Sequence, residues 1–270
     1  MKIALLAGGA GTRFAEETIY RPKPMVEIGG RPILWHIMRH FAAYGFDAFT
    51  IALGYKGDVI KRWALDLAQI QGDLRVSAVV GRVEALTEDR PDWTIDLIET
   101  GLQTNTGGRV KRLEPVLGKE TFILAWGDGL SDVDVRKLVS FHRAHGKLAT
   151  AMIVRPPPRF GHVALDGDQI VSFKEKPQAV EGWINGGVFV LEPGVFSYIA
   201  NDETAFEKAP LENLARDGQL MAFRHEGFWQ CMDNAQDKRV LDEMWARGDA
   251  PWETWKEQTC GSWLPAIAAT

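Results

Sequence analysis

Along the first half of the chain, apolar positions follow two rhythms. Ile3 to Ala7, Ala48 to Leu53, Thr121 to Trp126 and Leu148 to Val154 are short, nearly unbroken apolar runs, as expected of strands buried on both faces. Leu74 to Val80 and Trp93 to Glu99 read as two further strands. Between the runs, apolar residues recur at three- and four-residue spacing. Ile33, Leu34, Ile37, Met38 and Phe41 follow Pro32, which suits a first helical position, and Gly45 ends the pattern. Asp58 is placed to cap a helix carrying Val59, Trp63 and Leu67. Gly107 to Leu117 and Val135 to His145 also read as helices. Strands alternating with helices predict an α/β fold with a right-handed, mostly parallel sheet covered on both faces.

The rhythm changes after Arg155, where PPPRFG is rich in turn formers. Val163 to Leu165, Ile170 to Lys174 and Gly187 to Leu191 read as shorter strands, followed by helices near 206–216 and 235–247. A single domain over 1–270 is expected, divided at about 154 into a larger first half and a smaller subdomain packed on it.

Composition narrows the function. Acidic and basic residues are interspersed and the net charge is −5, which argues against a general nucleic-acid or membrane surface. Any anion site must therefore be local. No apolar run is long enough for a membrane helix, and the N-terminus enters a strand directly, so neither a signal peptide nor a membrane span is expected, and a cytoplasmic location is. Cys231 and Cys260 have neither metal-ligand spacing nor the numbers of a disulfide framework.

The local anion site is found at the end of the first strand. The run breaks into Gly8, Gly9 and Gly11, where converging backbone N–H groups can make an anion nest. Arg13 adds a forked cation suited to phosphate and Lys23 a point charge. Neither the Walker pattern nor G-x-G-x-x-G is present, since Phe14 stands where the latter needs glycine. By itself such a loop is also compatible with a plain strand-to-helix turn. Asp128, in WGDG after an apolar strand, and Asp233, in FWQCMDN, are candidate Mg²⁺ ligands, although an Asp-Gly pair alone also fits a type I′ turn. Asp132 and Asp134 read as solvated residues of a helix's first turn. His36 and His40 have i, i+4 spacing but no glutamate between them, so a surface or subunit contact is expected rather than zinc. His142 and His145 end a helix, where positive charge is favoured.

Taken together, LLAGGAGTR, RPKPMVEIGGRPILWHIM, TGGRVKR, WGDG, FKEKP, INGG, FWQCMD and APWETW make a chain that resembles the sugar-1-phosphate nucleotidyltransferases over nearly its whole length. Phe14, the EET after it and Thr18 resemble the cytidylyl branch. The resemblance implies a Rossmann-like sheet of the nucleotide-diphospho-sugar transferase type, with nucleotide bound by the half before 154 and sugar phosphate by the half after it. It assigns nucleotide binding to Leu6, Ala7, Gly8, Gly9, Gly11, Thr12, Arg13, Lys23, Thr104, Arg109 and Asp128, with Arg13 and Lys23 catalytic. It assigns sugar-phosphate binding to Glu175, Lys176, Asn185 and Gly186, and Mg²⁺ to Asp128 and Asp233. The expected reaction joins CTP and α-D-glucose 1-phosphate into CDP-glucose and pyrophosphate, a step of lipopolysaccharide and O-antigen supply. A homo-oligomer is expected. Two alternatives stay open, a transferase for another nucleotide or another sugar or polyol phosphate, and a non-catalytic sugar-nucleotide sensor. For Lys111 and Arg112 a solvated helix face is expected, and EKP alone also fits an exposed turn. Departures from the branch at Gly81, Leu86, Thr87, Trp126 and His162 bear on substrate identity more than on reaction class.

Overall fold

The computed structural model describes residues 1–9, 11, 14–70, 72–87, 91–156, 162–166, 169–174 and 182–256. In the first part of the chain β1 (Ile3–Leu6), α1 (Ala15–Thr18), β2 (Glu27–Ile28), β3 (Arg31–Pro32), α2 (Ile33–Ala43), β4 (Ala48–Leu53) and α3 (Gly57–Gln69) follow one another. Next come β5 (Leu74–Ser77), β6 (Arg82–Ala85), β7 (Thr94–Glu99), α4 (Thr106–Arg112), α5 (Glu114–Leu117), β8 (Phe122–Trp126), β9 (Gly129–Ser131), α6 (Val135–His145) and β10 (Ala149–Val154). The remainder holds β11 (His162–Asp166), β12 (Gln169–Lys174), β13 (Ile184–Leu191), α7 (Ala209–Arg216), β14 (Leu220–His225), β15 (Trp229–Cys231) and α8 (Ala235–Arg247).

A seven-stranded sheet in the order β14-β10-β13-β8-β1-β4-β7 forms the centre. β1 pairs in parallel with β4 and β8, β4 with β7, and β10 with β14. β13 runs antiparallel between β10 and β8 and stitches the first half of the sheet to its far edge. β1 is buried at every position because both of its faces are covered. Successive side chains point to opposite faces: Ile3 and Leu5 join the core beneath α2 and α6, and Ala4 and Leu6 join the core with Val110, Leu113 and Phe206. Trp252, fully buried, closes the first of these cores against α2.

Several local expectations are corrected. Leu74–Ser77 is not a strand of the central sheet; it pairs with β6 in a separate antiparallel hairpin whose Val76 and Val83 are exposed, and β7 takes the place beside β4. The helix expected over 107–117 is interrupted after Arg112, because Pro115 cannot donate to a continuing ladder and sits instead in the first turn of α5. Asp58 does not cap α3: the cap residue is Lys56, in the left-handed conformation with φ 50°, and Asp58 pairs with Arg62 one turn on. Pro32 precedes α2 rather than opening it. His36 and His40 are buried in the core, not on a surface. His142 is buried too, with its Nδ1 2.8 Å from Thr150 Oγ1. His145 accepts the Lys147 N–H at Nδ1, so it is a neutral ring and not a helix-end cation, and burial lowers its pKa.

Candidate active site

Three connections meet at the carboxyl ends of β1 and β8, where ligands gather in open α/β sheets. The first is the glycine loop. A Cβ on Gly8 would collide with the Arg109 guanidinium, so only glycine lets the loop lie on that side chain. Gly11 has φ +63°, a conformation that L side chains rarely adopt. The second is the turn from β8 through Gly127, whose N–H donates to Leu6 O at 3.2 Å and ties the two strand ends together. Asp128 follows directly. The third is the exit from β15, which pairs with β9 and brings Asp233 beside Asp128. Asn234 caps α8 through the N–H groups of Gln236 and Asp237, and Asp237 in turn accepts the Asp233 N–H at 2.9 Å. The backbone carrying the second carboxylate is thereby pinned.

Lys23 completes the cluster. It sits in a single 3₁₀ turn, Lys23–Met25, set up by Pro22 and Pro24. Its Nζ lies 2.7 Å from Asp128 Oδ2 and 2.6 Å from Asp233 Oδ1. Burial alone would lower its pKa, but the two carboxylates more than offset this and hold the ammonium above its ordinary value. Cys231 lies behind the pair with Sγ 3.5 Å from Asp233 Oδ2; burial and the neighbouring carboxylates push its thiol up to about 12, so it is no nucleophile at neutral pH.

Beside the cluster opens a cavity of about 390 Å³. Leu6, Ala7, Gly8, Gly9, Gly11, Lys23, Thr104, Arg109 and Asp128 all line it. Arg109 is buried and spends its donors on the protein: Nη1 reaches Leu53 O at 3.1 Å, Thr100 Oγ1 at 2.7 Å and Gly101 O at 2.8 Å. Its place is beneath the glycine loop, as a brace with one face on the cavity. Asn185 and Gly186 are not among the cavity's lining residues. They lie one strand over, on β13, where the Asn185 side chain accepts the Gly187 N–H at 2.8 Å and Gly186 O accepts from Trp229 Nε1 at 2.9 Å. Thr12, Arg13, Glu175 and Lys176 lie outside the described residues, as does the tail from 257.

Lining residues that sequence reasoning did not select include Gln103, Asn105 and Thr106. Their signal was the polar QTNT before TGGR: Asn105 caps α4 by accepting the Thr106 N–H at 2.8 Å. The glycines of TGGR serve packing, since a Cβ at Gly107 or Gly108 would strike the segment 202–206, and both N–H groups donate to Thr204 O. Trp126, also on the cavity wall, is held by Glu207, which accepts from its Nε1 at 3.1 Å and from Thr106 Oγ1 at 2.6 Å.

Two carboxylates already converging on one cation, beside a cavity floored by a glycine loop, have the donor chemistry for Mg²⁺, which takes one or two carboxylates and fills its shell with phosphate and water. Among the described residues no cluster of three or more His, Cys, Asp or Glu forms a metal cage, and no helix is long and apolar enough to cross a membrane.

The fold and this site define an α/β protein whose strand ends carry a glycine loop, a lysine and two carboxylates, a set suited to phosphate chemistry. Residues 2–237 match the model of the nucleotidyl transferase family, and the chain belongs to that family. It is 47% identical over 257 residues to glucose-1-phosphate cytidylyltransferase of Salmonella typhi, covering 95% of this chain and all of that one. To a probable glucose-1-phosphate cytidylyltransferase of Bacillus subtilis it is 40% identical, over 94% of this chain and all of the relative. The crystal structure of HddC from Yersinia pseudotuberculosis shares the fold with a TM-score of 0.67 at 23% identity, covering 90% of this chain and 99% of that one.

Proposed function

We propose that this protein is a sugar-1-phosphate cytidylyltransferase, which joins CTP and α-D-glucose 1-phosphate into CDP-glucose and pyrophosphate. The observation that carries the reading is that Lys23, on the wall of the glycine-loop cavity, bridges Asp128 and Asp233. The full-length likeness to two cytidylyltransferases supports the choice of substrates.

The chemistry asks little of acid–base groups. A sugar-1-phosphate oxygen is already anionic at neutral pH and can attack the α-phosphorus in line, with pyrophosphate leaving. Positioning and charge neutralisation then do most of the catalysis. Lys23 and Arg13 neutralise the phosphoryl oxygens and the glycine loop holds the triphosphate. A divalent cation held by Asp128 and Asp233, Mg²⁺ by donor chemistry, supplies further charge stabilisation when bound. Glu175, Lys176, Asn185 and Gly186 hold the acceptor. Exposed Val76, Val79, Val80 and Val83 on the β5–β6 hairpin support association into a homo-oligomer.

Pyrophosphate release, measured for four nucleoside triphosphates against several sugar 1-phosphates, tests the reading. CTP with glucose 1-phosphate should be preferred, with CTP at least ~10-fold better than UTP, since a mismatched base leaves buried polar groups unpaired. Parity between CTP and UTP would remove the cytidylyl assignment; no turnover with any pair would remove the enzyme reading.

A further inference from the structure

We propose that in the ligand-free protein the ammonium of Lys23 occupies the seat of the divalent cation, so that Lys23 and the metal hold the Asp128–Asp233 pair in turn. The inference rests on the assignment of those two aspartates as metal ligands.

The geometry is restrictive. Lys23 Nζ lies 2.7 Å from one carboxylate and 2.6 Å from the other, and the side chains of Lys23, Asp128 and Asp233 are only 11%, 26% and 23% exposed. An ion bridging the same two oxygens at the 2.0–2.1 Å of Mg²⁺ ligands would have to enter the volume that Nζ fills. Two cations cannot share it, by volume or by charge. Lys23 cannot simply withdraw either. It is buried on its own turn, and an ammonium taken from both partners needs another anion nearby. The cavity that Lys23 lines beside the glycine loop is where such an anion, a nucleoside polyphosphate, would lie. Polyphosphate oxygens are strong acceptors for an ammonium. Binding of the polyphosphate therefore draws Lys23 off the aspartates, and the freed pair, Asp128 and Asp233, would then hold a divalent cation beside the nucleotide.

This predicts that the free protein binds metal poorly because it carries its own cation. The test is a titration of Mn²⁺ alone, with free ion counted by electron paramagnetic resonance, against the intact wild-type chain, Lys23→Met, and Lys23→Met combined with Asp233→Asn. Circular dichroism melts establish that each variant is folded, and Lys23→Gln serves as a second neutral variant should the thioether not be tolerated. The expected result is at least tenfold tighter Mn²⁺ binding in the neutral variants than in wild type, lost again when Asp233→Asn is added. Equal or weaker binding in the neutral variants, with a site still dependent on Asp233, would overturn the exchange while leaving the metal assignment standing. Binding indifferent to Asp233→Asn throughout would overturn the metal assignment, and the exchange with it.

Discussion

The indole N–H of Trp252 donates to Nδ1 of His36 across 3.2 Å, while Nε2 of the same ring lies 2.9 Å from the carbonyl oxygen of Ile28. A carbonyl only accepts, so the hydrogen is on Nε2 and the ring is neutral. Burial pushes the pKa of His36 down to about 4, and that of His40, also in the core, down to about 4. Unfolded, both rings titrate near 6.5. The unfolded chain therefore binds more protons between these values, and stability falls as pH drops from about 6.5 toward 4. The loss is on the order of 3 kcal/mol per ring at the low end. Urea unfolding at pH 7, 6 and 5 should show a steady decline, whereas a flat profile would mean that the rings protonate in place.

Replacing that donor has its own signature. Trp252→Phe leaves the His36 Nδ1 acceptor buried and unpaired, which costs about 1–3 kcal/mol beyond any loss of packing. Trp252 does not line the glycine-loop cavity, so KM for CTP in the folded variant should be unchanged.

Neighbouring glycines of the loop should respond in opposite ways. Gly8→Ala forces a Cβ into the Arg109 guanidinium, and an overpacked site costs roughly 1–3 kcal/mol. Gly9→Ala has nothing within 4 Å of its new Cβ, so stability should stay within about 0.5 kcal/mol. Denaturant midpoints of the two variants, compared with wild type, check both statements.

At the carboxylate pair, Asp128→Asn and Asp233→Asn should each lower turnover by at least ~10², the scale of losing a main electrostatic stabiliser. The fold should persist, because Lys23 keeps one charged partner in each variant. Steady-state kinetics with Mg²⁺ present decide it, and full activity in either variant would remove that aspartate from the metal assignment.

Cys231 should be chemically quiet. With its thiol pushed up to about 12, the thiolate fraction at pH 8 is lower by at least ~10² than for an ordinary cysteine. Alkylation in a Cys260→Ser background, native against denatured, should show a rate ratio of that size.

What the sequence disclosed follows from where each signal resides. β1, β4, β8 and β10 were legible because a run buried on both faces is apolar at nearly every position, and α2 because its stripe is periodic. Leu74–Ser77 misled because an apolar alternation looks the same in a free hairpin as in a sheet; what differs is the strand beside it. His36 gave no sign of burial, since its partner Trp252 lies 216 positions away in the chain. Asp128 and Asp233 were selected together as Mg²⁺ ligands, and Lys23 separately for the nucleotide. That they touch depends on separations of 105 and 210 residues, which leave no local trace.

The antiparallel strand β13 has a consequence for how the molecule can be made. β10 finds its sheet neighbours only in β13 and β14, both encoded after it, so residues 149–154 wait unpaired until the chain has grown past 191. The four strands β7, β4, β1 and β8 can assemble earlier, but their β8 edge stays open for the same interval. An exposed apolar edge is a template for other chains, so the interval between synthesis of β8 and arrival of β13 is when a nascent chain of this protein is most open to aggregation. A chain that stopped before residue 184 would keep both edges open for good.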